Sequence, residues 1–354
     1  MCVLRSACPQ TCVILFTLRS TVLNKRFWIF AAETRYPADG TKPSEEEHFF
    51  ITEDNNMDNT AGKGKTTETA AKETTVATAA EETTVATAAA AASAAVSTGS
   101  TAAGAKNAAP RSAKMNALDK KLREEIKKKK GTWSLYMYRF DTGEEIAINA
   151  NVQMISASLI KLYIAGCYLE RVYKAGISDK YDRQLFKMLS ESDNASANTL
   201  IDVLTRDRAT RFISNHGFKA SKLNRKMLQK NGTENYTSAA DCGRVLRQVY
   251  KWAYVNARSS GRVMKALCEQ IARNRQKIPA GVPSGIETAN KTGELFTTDK
   301  KGVSVDVQND AAIIFAPGHH YVLVVMSAVP SVGEAQLRKE IATLSSEVYK
   351  AICG

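Results

Sequence analysis

The chain has 354 residues, a formal net charge of +13 and a hydrophobic share of 44%. That length holds one large domain or two ordinary ones, and the composition excludes collagen-like, disulfide-framework and multi-span membrane proteins. Basic and acidic side chains balance over residues 1–114, 12 of each, so residues 115–354 carry the whole excess.

Residues 1–59 read as an unassigned leader. Its apolar run at residues 12–18 is broken by Arg19, Lys25 and Arg26, too soon for a spanning helix of about 20 apolar residues. The run suits at most a weak export signal without a clean small-residue cleavage site, and Met57 offers an internal start. Residues 60–110 are dominated by Ala, Thr, Glu, Lys and Ser, with an octapeptide at 73–80 repeated at 82–89. Such a stretch cannot bury enough apolar area to offset its ordering entropy, so it is expected to be a disordered tether. The seven cysteines are scattered without a C-x-x-C pair, and with only four His a zinc site has little support. Cys167, in an apolar run, is expected simply to pack.

The globular domain is expected over residues 115–354. Leu118, Leu122 and Ile126 recur every four residues, predicting a helix that ends in the lysines at 127–130 with Gly131 at its cap. Alternation at 133–140 and 144–149 around Asp141-Thr-Gly143 predicts a hairpin. Residues 158–275 are mostly helical in pattern. Strands return at 286–292, 311–316 and 321–328, and Leu337, Ile341, Leu344, Val348 and Ile352 mark a closing amphipathic helix. Two strands before a helical insert and three after it make one five-stranded antiparallel sheet. Terminal helices would cover one face and the insert would form an all-helical lobe, an α+β fold in three α/β/α layers with a cleft between sheet and lobe.

Three short motifs stand in order: Ser158-Leu-Ile-Lys161 opening the first helix of the insert, Ser192-Asp193-Asn194 within it, and Lys291-Thr292-Gly293 on the first returning strand. Ser and Lys three apart share a helix face, so the amine can reach the hydroxyl. The apolar neighbours Leu159, Ile160, Leu162, Tyr163 and Ile164 predict burial, which depresses an ammonium pKa and lets Lys161 act as a base toward Ser158. In a first helical turn the N–H of Ser158 is free for an oxyanion. A Ser-x-x-Lys pair alone is expected about once or twice in such a chain, and Ser196-Ala-Asn198 competes for the Ser-x-Asn role. All three motifs in order, on the right elements, carry the weight.

From about Leu118 onward the chain resembles a class A β-lactamase-type serine hydrolase, of the superfamily shared with penicillin-binding proteins. The residues carrying this are Met154-Ile-Ser-Ala-Ser-Leu-Ile-Lys161, Ser192-Asp-Asn-Ala-Ser-Ala-Asn198, Ile278-Pro-Ala-Gly-Val-Pro283 and Ala289-Asn-Lys-Thr-Gly-Glu294. Asn309-Asp310 resembles the Asp that opens the next strand. The resemblance implies Ser158 as acylated nucleophile, Lys161 as its base and Ser192 as proton relay to the leaving nitrogen. It implies Asn194 as holder of the substrate amide, Lys291, Thr292 and Gly293 as the substrate-binding strand, and the N–H groups of Ser158 and Glu294 as the oxyanion hole. Ser192 is preferred over Ser196 because the family pattern continues Asn-x-x-x-Asn, met by Asn194 and Asn198.

The resemblance further implies a β-lactam or D-alanyl-peptide-like substrate, no cofactor or metal, and an extracytoplasmic location. A monomer is expected. The basic excess lacks interleaved aromatic patches, so nucleic acid is not an expected partner; anionic wall polymers or carboxylate-bearing substrates suit it better. One departure matters. The family places a water-activating Glu in Leu-x-Arg-x-Glu, whereas Leu223-Asn-Arg225-Lys-Met227 puts Met227 there. Asn235 replaces the Asp that pairs with the Arg, and Glu234 is the one carboxylate left in the loop. A surface role for Glu234 is expected over a shifted base. Slow deacylation follows, with a cell-wall peptidase or esterase, or a non-catalytic binding module, as alternatives to a turning-over β-lactamase.

Overall fold

The computed structural model describes residues 111–177, 179–298, 302–330 and 333–354, so the expected leader and tether lie outside the described residues. Helix α1 (Ala113–Lys128) starts where the Ser112 hydroxyl accepts the Met115 N–H at 3.3 Å. It buries Met115, Leu118, Leu122 and Ile126. Lys129 is its C-cap, not Gly131. Gly131, at φ +76°, instead lets the chain pass the last strand. A Cβ there would sit 2.5 Å from the Ala328 carbonyl oxygen.

Strands β1 (Thr132–Arg139) and β2 (Glu145–Ile148) form the predicted hairpin. After the insert come β5 (Thr288–Thr298), β6 (Ser304–Ile314) and β7 (Tyr321–Val329). The antiparallel sheet runs β2-β1-β7-β6-β5, leaving β5 at an edge. Strand β7 is central, and its alternation divides the core in two. Leu323 and Val325 face α1 and the closing helix α8 (Glu334–Cys353), with Leu337, Ile341, Leu344 and Val348. Val322, Val324 and Met326 face the helical lobe. The α+β reading with terminal helices on one face and an all-helical lobe on the other holds.

The insert contains α2 (Lys161–Ala175), α3 (Asp182–Ser190), α4 (Asn194–Leu204), α5 (Arg206–Asn215), α6 (Ala239–Tyr250) and α7 (Ala257–Cys268). Its sequence gave no hint of a two-residue ribbon, β3 (Met154–Ile155) against β4 (Tyr236–Thr237). That ribbon joins the segment before Ser158 to the far end of the loop carrying Met227, and Ser156 N–H donates to the Asn235 carbonyl at 2.8 Å.

Strands β5 and β6 exceed their predicted spans. Residues 304–310 already pair with β5, so Asn309 and Asp310 lie in mid-strand and do not open it. Their polarity hid the strand, because each is buried by a specific partner described below. Among the described residues, no helix is long and apolar enough to cross a membrane, and the four cysteines are free.

Candidate active site

The nucleophile candidate sits in a tight turn. Residues Ala157–Ile160 form one turn of 3-10 helix leading into α2, so Ser158 lies in that turn, three residues before the first residue of the α-helix. Ala157 takes φ +45°, a conformation costing roughly 1–2 kcal/mol for a residue with a Cβ. Two features hold the turn. Asn309 on β6 donates through Nδ2 to the carbonyls of Ile155 (3.0 Å) and Ser156 (3.1 Å), and its Oδ1 accepts the Ser327 N–H at 3.2 Å. Gly293 on β5 packs against it so closely that a Cβ would lie 3.0 Å from the Ser156 carbonyl oxygen and 3.1 Å from the Ser158 nitrogen. Gly293→Ala is therefore expected to displace Ser158 and slow acylation about tenfold, read from burst kinetics with a chromogenic cephalosporin. An unchanged burst rate would show that the approach of β5 is not critical.

Lys161, the first residue of α2, is fully buried. Its Nζ lies 3.0 Å from Ser158 Oγ, 2.6 Å from the Ser192 carbonyl, 2.7 Å from Asn194 Oδ1 and 3.3 Å from Ser192 Oγ. Carbonyl and amide oxygens only accept, whereas hydroxyls can also donate. A neutral amine thus donates to Ser192 O and Asn194 Oδ1 and turns its one lone pair to the nearer hydroxyl, that of Ser158. Burial pushes Lys161 down to about 7; nearby Asp193 opposes this and Arg273 adds to it.

Ser192 adopts φ +60°, which aims both its carbonyl and its hydroxyl at the lysines. Asp193 caps α4, accepting the Ser196 N–H at 2.7 Å. Lys291 is fully buried, and its Nζ donates to Ser192 Oγ and the Thr292 carbonyl, both at 2.8 Å. Burial holds its pKa well below the usual lysine value, and the proximity of Lys161 lowers it further. The structure thus gathers Ser158, Lys161, Ser192, Asn194 and Lys291 around shared hydrogen bonds, with Thr292, Gly293 and Glu294 following on β5.

Sequence reasoning passed over Lys277, which lies in a polar run and reads as solvated. It is in fact fully buried behind β5. Its Nζ donates to Thr292 Oγ1 and to the Asn309 carbonyl (3.1 Å), and it stands 3.0 Å from Glu294 Oε1. Thr292 Oγ1 in turn donates to the Asn309 carbonyl at 3.3 Å. Arg338 on α8 approaches Glu294 Oε2 at 3.4 Å. Burial alone would raise the Glu294 carboxyl, but Lys277 and Arg338 hold it below its usual value. Asp310 fixes the segment bearing Lys277. It accepts the Ile278 N–H and Asn290 Nδ2, both at 3.0 Å, and burial pushes it up to about 6.

In the loop, Met227 is buried in the lobe core. Asn198 on α4 clamps its backbone, accepting its N–H at 2.8 Å and donating to its carbonyl at 3.1 Å. Glu234 is half-buried, ion-paired to Arg225 and bonded by Thr297 Oγ1 at 2.9 Å. The loop's ion pair has moved one residue along, from the expected position of Asn235 to Glu234. Asn235 closes the loop instead, accepting the N–H groups of Asn224 (2.7 Å) and Arg225 (3.0 Å). Among the described residues no group of His, Cys, Asp and Glu is placed to hold a metal ion.

The fold recurs in solved structures. PBP-A is 19% identical, with a TM-score of 0.59 over 67% of this chain and 96% of that one. The TLA-3 extended-spectrum beta-lactamase is 18% identical, with a TM-score of 0.61 over 68% and 99%. A beta-lactamase from Chitinophaga pinensis is 19% identical, with a TM-score of 0.60 over 67% and 99%. No curated protein matches the chain. The model of the beta-lactamase enzyme family matches residues 117–185 and 182–352, most of the described chain, and on that ground the protein belongs to the beta-lactamase enzyme family.

Proposed function

We propose that this protein is an active-site serine hydrolase that β-lactams acylate at Ser158 and that releases the acyl group to water slowly. The observation carrying this reading is the buried Lys161 amine, within hydrogen-bond reach of Ser158 Oγ, Ser192 Oγ and Asn194 Oδ1 at once. Ser158 Oγ bonds to the carbonyl carbon and passes its proton to Lys161. The C–N bond breaks, and the leaving nitrogen takes a proton from Ser192 Oγ, which Lys161 re-supplies. The N–H groups of Ser158 and Glu294 receive the oxyanion, and Lys291 keeps the relay polarised.

Release needs a base for water. Met227 supplies none, and the Glu234 carboxylate is engaged by Arg225 and Thr297. Loss of a general base slows a step by about a hundred- to ten-thousandfold, so the acyl-enzyme accumulates. This is the behaviour of a penicillin-binding peptidase or esterase more than of a resistance enzyme. A neighbour on the same fold, a PBP-A variant, was solved as an acyl-enzyme with penicillin G.

Labelling with a fluorescent penicillin tests the proposal. Wild type is expected to give a stoichiometric adduct that outlasts removal of free ligand, and Ser158→Ala to give none. Equal labelling of both, or of neither, would leave a non-catalytic binding module as the better reading.

A further inference from the structure

Three lysines are buried among the described residues, and the acylation scheme above uses two of them, Lys161 and Lys291. The third, Lys277, has four oxygens around its three protons. They are Thr292 Oγ1, Glu294 Oε1 at 3.0 Å, the Asn309 carbonyl at 3.1 Å and the Gly293 carbonyl at 3.4 Å. Its own backbone is fixed from two sides. The Ile278 N–H donates to the Asp310 carboxylate at 3.0 Å, and Ser345 Oγ on α8 donates to the Ile278 carbonyl at 2.8 Å.

The Gly293 contact is the informative one. The Gly293 carbonyl and the Glu294 N–H belong to one planar trans peptide, so they point in opposite directions. An ammonium at the carbonyl end fixes that plane, aims the N–H to the side away from Lys277, and polarises it into a stronger donor. The peptide needs such a brace. Position 293 is glycine so that the Ser158 turn can approach, and the same missing Cβ leaves its backbone free to turn. The Asn309 contact extends the brace to the other N–H. The Asn309 carbonyl faces Lys277, while its side chain holds the turn before Ser158.

We propose that Lys277 is a positioning residue for the oxyanion hole, orienting the Glu294 N–H through the Gly293 carbonyl and steadying the Ser158 N–H through Asn309. This goes beyond the serine hydrolase reading above and rests on it. Lys277 exchanges no proton in the reaction. Glu294 Oε1 compensates its charge in a site closed to water, and Arg338 approaches the other oxygen of that carboxylate.

Infrared spectra of the acyl-enzyme test this, because a carbonyl that accepts strong hydrogen bonds absorbs at lower frequency than an unbonded one. The full chain is acylated with penicillin G isotopically labelled at the β-lactam carbonyl, and isotope-edited difference spectra give the ester band. Wild type is expected to show a band lowered by the two N–H groups. Lys277→Met is expected to move that band to higher frequency and to slow acylation about tenfold, less than the loss of a whole oxyanion donor would cost. Because Lys277→Met strands the Glu294 carboxylate, a second variant combines it with Glu294→Gln, which removes both charges and keeps the N–H at position 294. The same band shift and slowing are expected there. A folded variant whose band and acylation rate match wild type overturns the proposal. So does a variant that melts earlier yet keeps the band, which is what a lysine that only supported the fold would give. A wild-type ester band at the unbonded frequency overturns it as well. Absence of a Ser158-dependent adduct in wild type is a separate result that overturns the hydrolase reading itself, and the proposal with it.

Discussion

Replacing Lys161 by methionine is expected to slow acylation by about a hundred- to ten-thousandfold while leaving the fold in place. Methionine matches the buried stem and removes the amine, so the loss isolates proton transfer. The pH profile is the sharper readout. Burial holds Lys161 at about 7, and only its neutral form accepts a proton. Below that pH the lysine is protonated and acylation is slow. The rate is expected to climb as pH rises through about 7 and then level off. Asp193 raises the Lys161 pKa by its charge, so Asp193→Asn, which retains a capping oxygen for α4, is expected to move the rise to lower pH. A profile flat between pH 5 and 9 would remove Lys161 as the base.

The second large effect is expected at Met227. On the proposed reading, Met227→Glu restores a carboxylate at the position the resemblance assigns to a water-activating group, on a backbone already clamped at both its N–H and its carbonyl by Asn198. The surroundings are apolar, so the new carboxyl will have a raised pKa, which suits a base working near neutrality. Deacylation is expected to accelerate about a hundredfold, turning a burst of cephalosporin hydrolysis into sustained turnover. Burying a carboxyl costs stability, so the thermal transition is expected to fall as well. If the variant is folded and the acyl-enzyme lifetime is unchanged, Met227 does not stand at the missing base.

Much of this architecture was legible because it depends on short-range periodicity. The four-residue spacing of Leu118, Leu122 and Ile126 and the alternation in β7 each state which face is buried. Ser158 and Lys161 were legible for a similar reason, being separated by a single helical turn. What escaped was set by partners far away in the chain. Residues 306–310 read as polar loop, yet Gln308, Asn309 and Asp310 are buried in β6. The side chains of Asn309 and Asp310 meet backbone groups of Ile155, Ser156, Ile278 and Ser327, and the Gln308 carbonyl accepts Ser327 Oγ. Lys277, set among Arg273, Arg275 and Gln276, resembles a solvated run until β5 and β6 close over it. The β3–β4 ribbon joins segments some eighty residues apart and is too short for any period to show.

The Asn309 staple also divides the reaction between two bodies. One amide side chain ties the turn before Ser158 to β6 and β7, so Ser158 and its backbone N–H are fixed to the sheet, on which Glu294 of β5 also stands. Ser192 and Asn194 stand on the helical lobe, and Lys161 bonds to groups of both halves. On the proposed reading, the anion-stabilising groups thus belong to the sheet and the proton path crosses from sheet to lobe. An acyl group on Ser158 is therefore held, on the same reading, by the sheet half of the site, away from the lobe residues that carry the proton path.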